Sequence, residues 1–245
     1  MKQLALDLDM APRALLSTFI AGPNVEVVQH VKALCEAPEA PEAPEASATP
    51  TYLWGPAGSG KTHLLEAAGQ ALEQRGCTVA WLGPRATAFA AFDDHWDAIL
   101  MDDVHAYGAV QQHTAFNWFV NAVARRDERA CTVLAAGALP PADLPLRPDL
   151  RTRLAWGLVF ELHPLSEADR IAALQRAACE RGIALPAEVM HYLVTRFDRD
   201  LSHLMALLDR LDRFALQTQR TPSVPLVKAM LEEQRLESRA ADAPC

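Results

Sequence analysis

The sequence predicts an α/β protein, a parallel five-stranded sheet flanked by helices and followed by a small all-helical domain. Three observations carry this. Short apolar strands alternate with helical stretches from Thr51 onward, the rhythm of a parallel sheet covered on both faces. A Gly-rich segment, Gly55 to Thr62, stands between the first of these strands and the helix after it. After Pro164 the strand patterns stop and only helical ones continue.

In order, residues 1–10 read as a short tail with alternating apolar positions, and Ser17 to Leu34 carries apolar residues at helix-compatible spacing with a Gly-Pro-Asn turn. Residues 36–48 contain the repeat EAPEAPEAPEA; proline at every third position removes backbone donors and blocks a helix, so an extended, solvated loop is expected. Expected strands are Thr51–Trp54, Thr78–Leu82, Ala98–Met101, Cys131–Ala136 and Leu158–Leu162, with helices over Lys61–Arg75 and Gln111–Arg125 between them. Ser166-Glu-Ala-Asp169 has the form of a capping box opening a helix to about Arg181. Further helices are expected from Pro186 to Phe197, Asp200 to Gln217 and Val224 to Leu236, proline being harmless in a first turn. The domains are thus 1–10 tail, 11–164 α/β domain, 165–238 helical domain and 239–245 disordered tail.

Half of the 245 residues are hydrophobic and 22% are charged, which suits a globular chain with a sizeable core. No apolar run approaches the roughly 20 residues that span a bilayer, and Asp7 and Asp9 interrupt any signal peptide. A cytoplasmic protein with no membrane association is expected. The five cysteines are scattered, without zinc-type spacing, and read as core residues or incidental thiols. A net charge of −8 argues against non-specific coating of DNA, which needs a surplus of Lys and Arg.

Gly55-Pro56-Ala57-Gly58-Ser59-Gly60-Lys61-Thr62 fits GxxxxGK[ST] in full, with His63 continuing the helix. The glycines let backbone N–H groups curl around a phosphate, the helix start adds partial positive charge, Lys61 reaches the β/γ oxygens and Thr62 can ligate Mg²⁺. About 40 residues on, the apolar strand before Asp102-Asp103 ends in two carboxylates. Asp102 is expected to hold Mg²⁺ through water and Asp103 to polarise the attacking water; His105 is assigned no role. Three arginines, Arg147, Arg151 and Arg153, precede the last strand and read either as a solvated basic loop or as a source of charge for a neighbouring γ-phosphate.

Laid out in this way, the chain from Phe19 to Leu236 resembles the AAA+ ATPases of the DnaA branch. It shares the entry segment FIAGPN, the P-loop, the Asp102-Asp103 pair, the block DLRTRLAWGL and the helices after HPLSEADR. The chain ends near where a helical lid would, without a duplex-reading domain, so no direct sequence-specific DNA binding is implied. Together with Gln3-Leu4-Ala5-Leu6-Asp7-Leu8, this shape is similar to the Hda-type regulatory inactivators of DnaA. In such proteins QLxLxL peptides bind the DNA polymerase III sliding clamp (beta subunit). An extended segment puts Leu4, Leu6 and Leu8 on one side for an apolar groove, with Gln3 at the rim. The resemblance implies ADP or ATP with Mg²⁺ as ligands and DnaA as partner. It also implies that Arg153 serves as a trans-acting arginine finger that stimulates hydrolysis by DnaA.

Two positions depart from the pattern. The sensor 1 strand ends Leu134-Ala135-Ala136-Gly137, with no side chain able to position water. The sensor 2 position falls on Ser202, with Arg199 or His203 as imperfect substitutes. Weak intrinsic hydrolysis and binding of ADP at least as good as of ATP are therefore expected. An autonomous AAA+ ATPase acting as a loader or initiator accessory, a pure adaptor, and a homo-oligomer are the alternatives the sequence leaves open.

Overall fold

The computed structural model describes residues 15–17, 19–36, 49–86, 88–124, 131–197 and 201–241. The expected clamp-binding residues Gln3, Leu4, Leu6 and Leu8, the Glu/Ala/Pro loop after Glu36, Arg199 and residues 242–245 lie outside them.

The chain divides into two compact units, Met1–Pro56 with Lys61–His163, and Ala57–Gly60 with Pro164–Cys245. In the first, α1 (Val25–Glu36) follows a 3-10 turn at Gly22–Asn24, then come β1 (Thr51–Trp54), α2 (Lys61–Gln74), β2 (Val79–Leu82), β3 (Ala98–Met101), α3 (Ala109–Ala124), β4 (Thr132–Gly137), α4 (Pro148–Leu154) and β5 (Leu158–Glu161). The strands form one parallel sheet in the order β2-β3-β4-β1-β5.

Strand alternation sorts the core into two layers. Ile99 and Met101 of β3, Val133 and Ala135 of β4 and Tyr52 of β1 face Trp118 and Phe119 of α3 and Leu150 and Leu154 of α4. Ala98, Leu100, Leu134, Ala136 and Leu53 face the opposite layer, with Val28 and Val31 of α1 and Leu64, Leu65 and Ala68 of α2. Leu53, Leu64, Leu65 and Leu100 are wholly buried, and burying each such side chain stabilises by about 1.5–3 kcal/mol. Because both faces are covered, β3 reads as a continuous apolar run rather than an alternation. Buried Asn24 closes the entry turn: its Nδ2 donates to His163 O and its Oδ1 accepts from His163 N, both at 2.8 Å.

The second unit holds α5 (Glu167–Glu180), α6 (Ala187–Arg196), α7 (Leu201–Thr218) and α8 (Val224–Ala241). The capping box at Ser166 and Asp169 is formed as the sequence suggests, with Asp169 N donating to Ser166 Oγ at 3.1 Å and Ser166 N to Asp169 Oδ2 at 3.2 Å. Leu174, Val189, Leu193, Leu204, Leu208 and Val227 make its core.

Three expectations need correction. The first helix begins at Val25, not near Ser17, because Pro23 fixes the turn that precedes it. The arginine block is not a basic loop: Pro148 sits in the first turn of a true helix, α4. And α8 runs to Ala241, past the point at which a disordered tail was expected.

A candidate nucleotide site and its surroundings

The GxxxxGK[ST] segment joins β1 to α2. Gly58 and Gly60 adopt φ of 76° and 90°, values that a Cβ would penalise, so the loop depends on glycine at both positions. Lys61 is buried, and its Nζ donates to the carbonyls of Gly55 and Pro56 at 2.9 Å each. Burial holds its pKa below the usual lysine value, with the Asp103 and Asp102 carboxylates acting in the opposite sense.

Thr62, the next residue, donates its hydroxyl to Asp102 Oδ2 at 2.8 Å. This joins the start of α2 to the residue that follows β3, across β4 in the sheet. With its proton committed to Asp102, the Thr62 oxygen keeps its lone pairs for a cation. Asp102 is buried, and its Oδ1 has no hydrogen-bond partner among the described residues. Burial raises its pKa first of all, with the Thr62 hydrogen bond pulling it down. A buried carboxylate oxygen without a donor is suited to a hydrated cation. Among the described residues no cluster of three or more His, Cys, Asp or Glu could hold a metal by itself.

Asp103 has φ 48° and ψ 43°, the left-handed region that few non-glycine residues occupy. The conformation opens the 3-10 turn Val104–Ala106 immediately after β3. His105, on that turn, accepts a hydrogen bond at Nδ1 from Ala138 N at 3.2 Å. It therefore ties the segment after the acidic pair to the chain leaving β4, a role that composition and spacing did not reveal. Asp103 Oδ1 lies 3.9 Å from the same nitrogen, beyond hydrogen-bonding reach.

The lack of a side chain at the end of β4 has a structural cause. The fully buried Tyr52 donates its hydroxyl to Leu139 O at 2.8 Å, and a Cβ on Gly137 would lie 2.2 Å from that hydroxyl. The space a sensor side chain would need is filled from β1.

His63, expected among the nucleotide-binding residues, packs against Phe19, ring centroids 5.5 Å apart, and burial lowers its pKa. His203, considered as a sensor 2 substitute, stacks on Phe197 at 6.1 Å. The arginines separate cleanly. Arg147 pairs with Asp149 at 2.6 Å and covers the Phe116 ring at 5.3 Å. Arg151 and Arg153, two residues apart on α4, point to roughly opposite sides of the helix. The Arg153 guanidinium lies over the Trp156 ring, 5.8 Å from its centroid. A cavity of about 550 Å³ lies away from these groups, between the segment before β3 and α3, lined by Phe89, Phe92, Asn117, Trp118 and Asn121 among others.

Two family models match the chain. The bacterial DnaA ATPase domain covers residues 10–82, which includes the P-loop, and the Hda lid domain covers 167–231. Neither spans 83–166, where Asp102, Asp103 and Arg153 lie. Domain III of the Thermotoga maritima replication initiation protein DnaA superposes with a TM-score of 0.72 at 20% identity, over 91% of this chain and 97% of that one. AMPPCP-bound DnaA from Aquifex aeolicus gives 0.65 at 20% identity, over 94% of this chain and 71% of that one. A Thermotoga maritima RuvB mutant gives 0.64 at 16% identity, over 91% and 73%. At these identities the superpositions establish the AAA+ fold. Among the described residues no helix is long and apolar enough to cross a membrane. With a match to the bacterial DnaA ATPase domain before residue 83 and to the Hda lid domain from residue 167, the chain is similar to DnaA-related AAA+ proteins close to Hda.

Proposed function

We propose that this protein binds ADP or ATP with Mg²⁺ at Gly55–Thr62 and Asp102, and that it regulates replication initiation. Held on the DNA polymerase III sliding clamp by Gln3, Leu4, Leu6 and Leu8, it would stimulate ATP hydrolysis by DnaA through Arg153 and so inactivate the initiator. The observation that carries this reading is the contrast between the two sets of groups. Lys61, Thr62 and Asp102 form a compact phosphate- and cation-holding set, whereas Arg153 rests on an exposed neutral ring with no carboxylate partner among the described residues.

In its own site, Lys61 would exchange the carbonyls of Gly55 and Pro56 for β- and γ-phosphate oxygens. Thr62 would keep its proton on Asp102 and turn its oxygen toward the cation, and Asp102 Oδ1 would be left to help hold it. When bound, Mg²⁺ neutralises charge on the phosphate oxygens. Nothing at the end of β4 can position water, because Gly137 has no side chain. The nucleotide therefore serves mainly to brace the domain. Arg153 supplies its charge in trans, at the γ-phosphate of the partner, where such a cation is worth about three to five orders of magnitude in rate.

Reconstitution tests this reading: DnaA–ATP, loaded clamp and this protein with ADP, following the nucleotide on DnaA. Wild type should accelerate hydrolysis, and Gln3→Ala and Arg153→Ala should not. Absence of acceleration by wild type would sink the proposal. A second reading, an autonomous ATPase acting as a loader or initiator accessory, is favoured by the left-handed Asp103 beside the Thr62–Asp102 pair. Strained backbone clusters at catalytic positions. Brisk single-turnover hydrolysis by the pure protein, lost in Asp103→Ala, would select that alternative.

A further inference from the structure

We infer that Trp156 is a positioning residue for Arg153, its indole face holding the guanidinium in the orientation from which it reaches the γ-phosphate of a partner ATPase. The inference rests on the trans-acting role proposed above and adds to it the residue through which that role is set.

Trp156 is 61% exposed, the most exposed of the described tryptophans. Its backbone is nevertheless tightly fixed. Trp156 N donates to Arg153 O at 3.1 Å and Ala155 N to Arg151 O at 3.2 Å, closing α4. One residue on, a Cβ at Gly157 would fall 1.8 Å from Pro50 O, so the chain there lies against the residue that precedes β1. Leu158 N then donates to the same Pro50 carbonyl at 2.8 Å and begins β5. The indole thus stands on a three-residue bridge, Ala155 to Gly157, pinned at both ends, to a helix terminus and to the sheet. Arginine, by contrast, carries a long side chain with many rotamers, and a free one would sample them all.

The chemistry of the platform matters as much as its rigidity. Arg147 shows what the same helix does with an arginine it uses structurally: a 2.6 Å ion pair to Asp149. A carboxylate at Arg153 would compete with a phosphate for the same N–H groups, because charge-assisted bonds are the strong ones. An aromatic face attracts the cation more weakly and leaves its N–H edge free. The guanidinium is orientated without being neutralised, and can pass to an anion with little to give up.

The test titrates the protein into the reconstituted system with DnaA–ATP and loaded clamp, and separates the saturating rate from the half-saturating concentration. Trp156→Ala should lower the saturating rate by about three- to fivefold, the range set by an exposed cation–π pair, with the half-saturating concentration nearly unchanged. Trp156→Phe, which retains a ring face, should recover most of the rate. An effect confined to the half-saturating concentration would overturn the inference, since it would make the ring a docking contact. Failure of Trp156→Phe to recover the rate would overturn it too. In the free protein, the Arg153 Nε–Hε resonance should move when Trp156→Ala removes the ring current; an unmoved resonance also counts against it. Full stimulation by Arg153→Ala, while the Arg153 resonance of the unaltered arginine responds to Trp156→Ala, would instead remove the trans-acting role itself.

Discussion

Gly137→Ala is the most informative single perturbation of the site's architecture, because the structure says what it must collide with. The new Cβ would lie 2.2 Å from Tyr52 Oη, 3.2 Å from Val104 Cγ2 and 3.3 Å from Tyr52 Cζ. Tyr52 is a rigid ring only 1% exposed, and it cannot swing aside without repacking the sheet. Relief means losing the hydroxyl's bond to Leu139 O, which costs about 1–3 kcal/mol where a buried polar group is left unpaired. Overpacking adds about 1–3 kcal/mol. A total of about 2–5 kcal/mol follows. Tyr52→Phe alone should cost about 1–2 kcal/mol. The two changes must couple, because removing the hydroxyl also removes the atom at 2.2 Å. The double variant should therefore be at least about 1 kcal/mol more stable than the sum of the singles. Urea denaturation followed by far-UV circular dichroism measures all four corners of the cycle. Additivity within about 0.5 kcal/mol would refute the argument that Tyr52 occupies the missing side chain's place.

Three further predictions follow from the same geometry. Burial raises the Asp102 pKa, so the folded protein holds that proton more tightly than the unfolded chain. The associated stability is full at low pH and lost as pH rises through the raised value. Asp102→Asn should accordingly have a higher Tm than wild type at pH 7 without nucleotide, with the gap narrowing toward pH 4; a constant gap would contradict this. Arg170 is only 7% exposed, and its Nε and Nη1 have no hydrogen-bond partner among the described residues. Arg170→Met should therefore stabilise the nucleotide-free protein by about 1–3 kcal/mol, and a fall in Tm in differential scanning calorimetry would mean the guanidinium is paired in solution. Finally, ADP at about 100 times its Kd should add about 2.7 kcal/mol of stability. Lys61→Ala should abolish that shift, and a Lys61→Ala protein that still responds would move the site elsewhere.

Much was legible in the sequence because the signals were local. β1 and β3 fall on the expected residues, and the other strands within a residue at each end. A parallel strand buried on both faces is a short apolar run, and its length needs no tertiary information. The capping box at Ser166 and the glycine-rich loop at Gly55–Thr62 were likewise readable, since each satisfies its hydrogen-bonding or backbone demands within a few residues. What the sequence alone determined, then, was the strand–helix order, the loop from Gly55 to Thr62 and the two acids after β3.

The rest depended on residues far apart in the chain. That Thr62 reaches Asp102 is set by the order in which β1 and β3 flank β4. That His105 accepts from Ala138, and that Tyr52 fills the space beside Gly137, depends on sheet register. The arginine block looked like a loop because its helix is short and its stability comes from Leu150 and Leu154 packing into the core, not from intrinsic propensity. The surroundings of the arginines depend on the fold in the same way. Arg147 and Arg153 differ little as residues in a string, and only the folded chain sets Asp149 beside one and the Trp156 ring beneath the other.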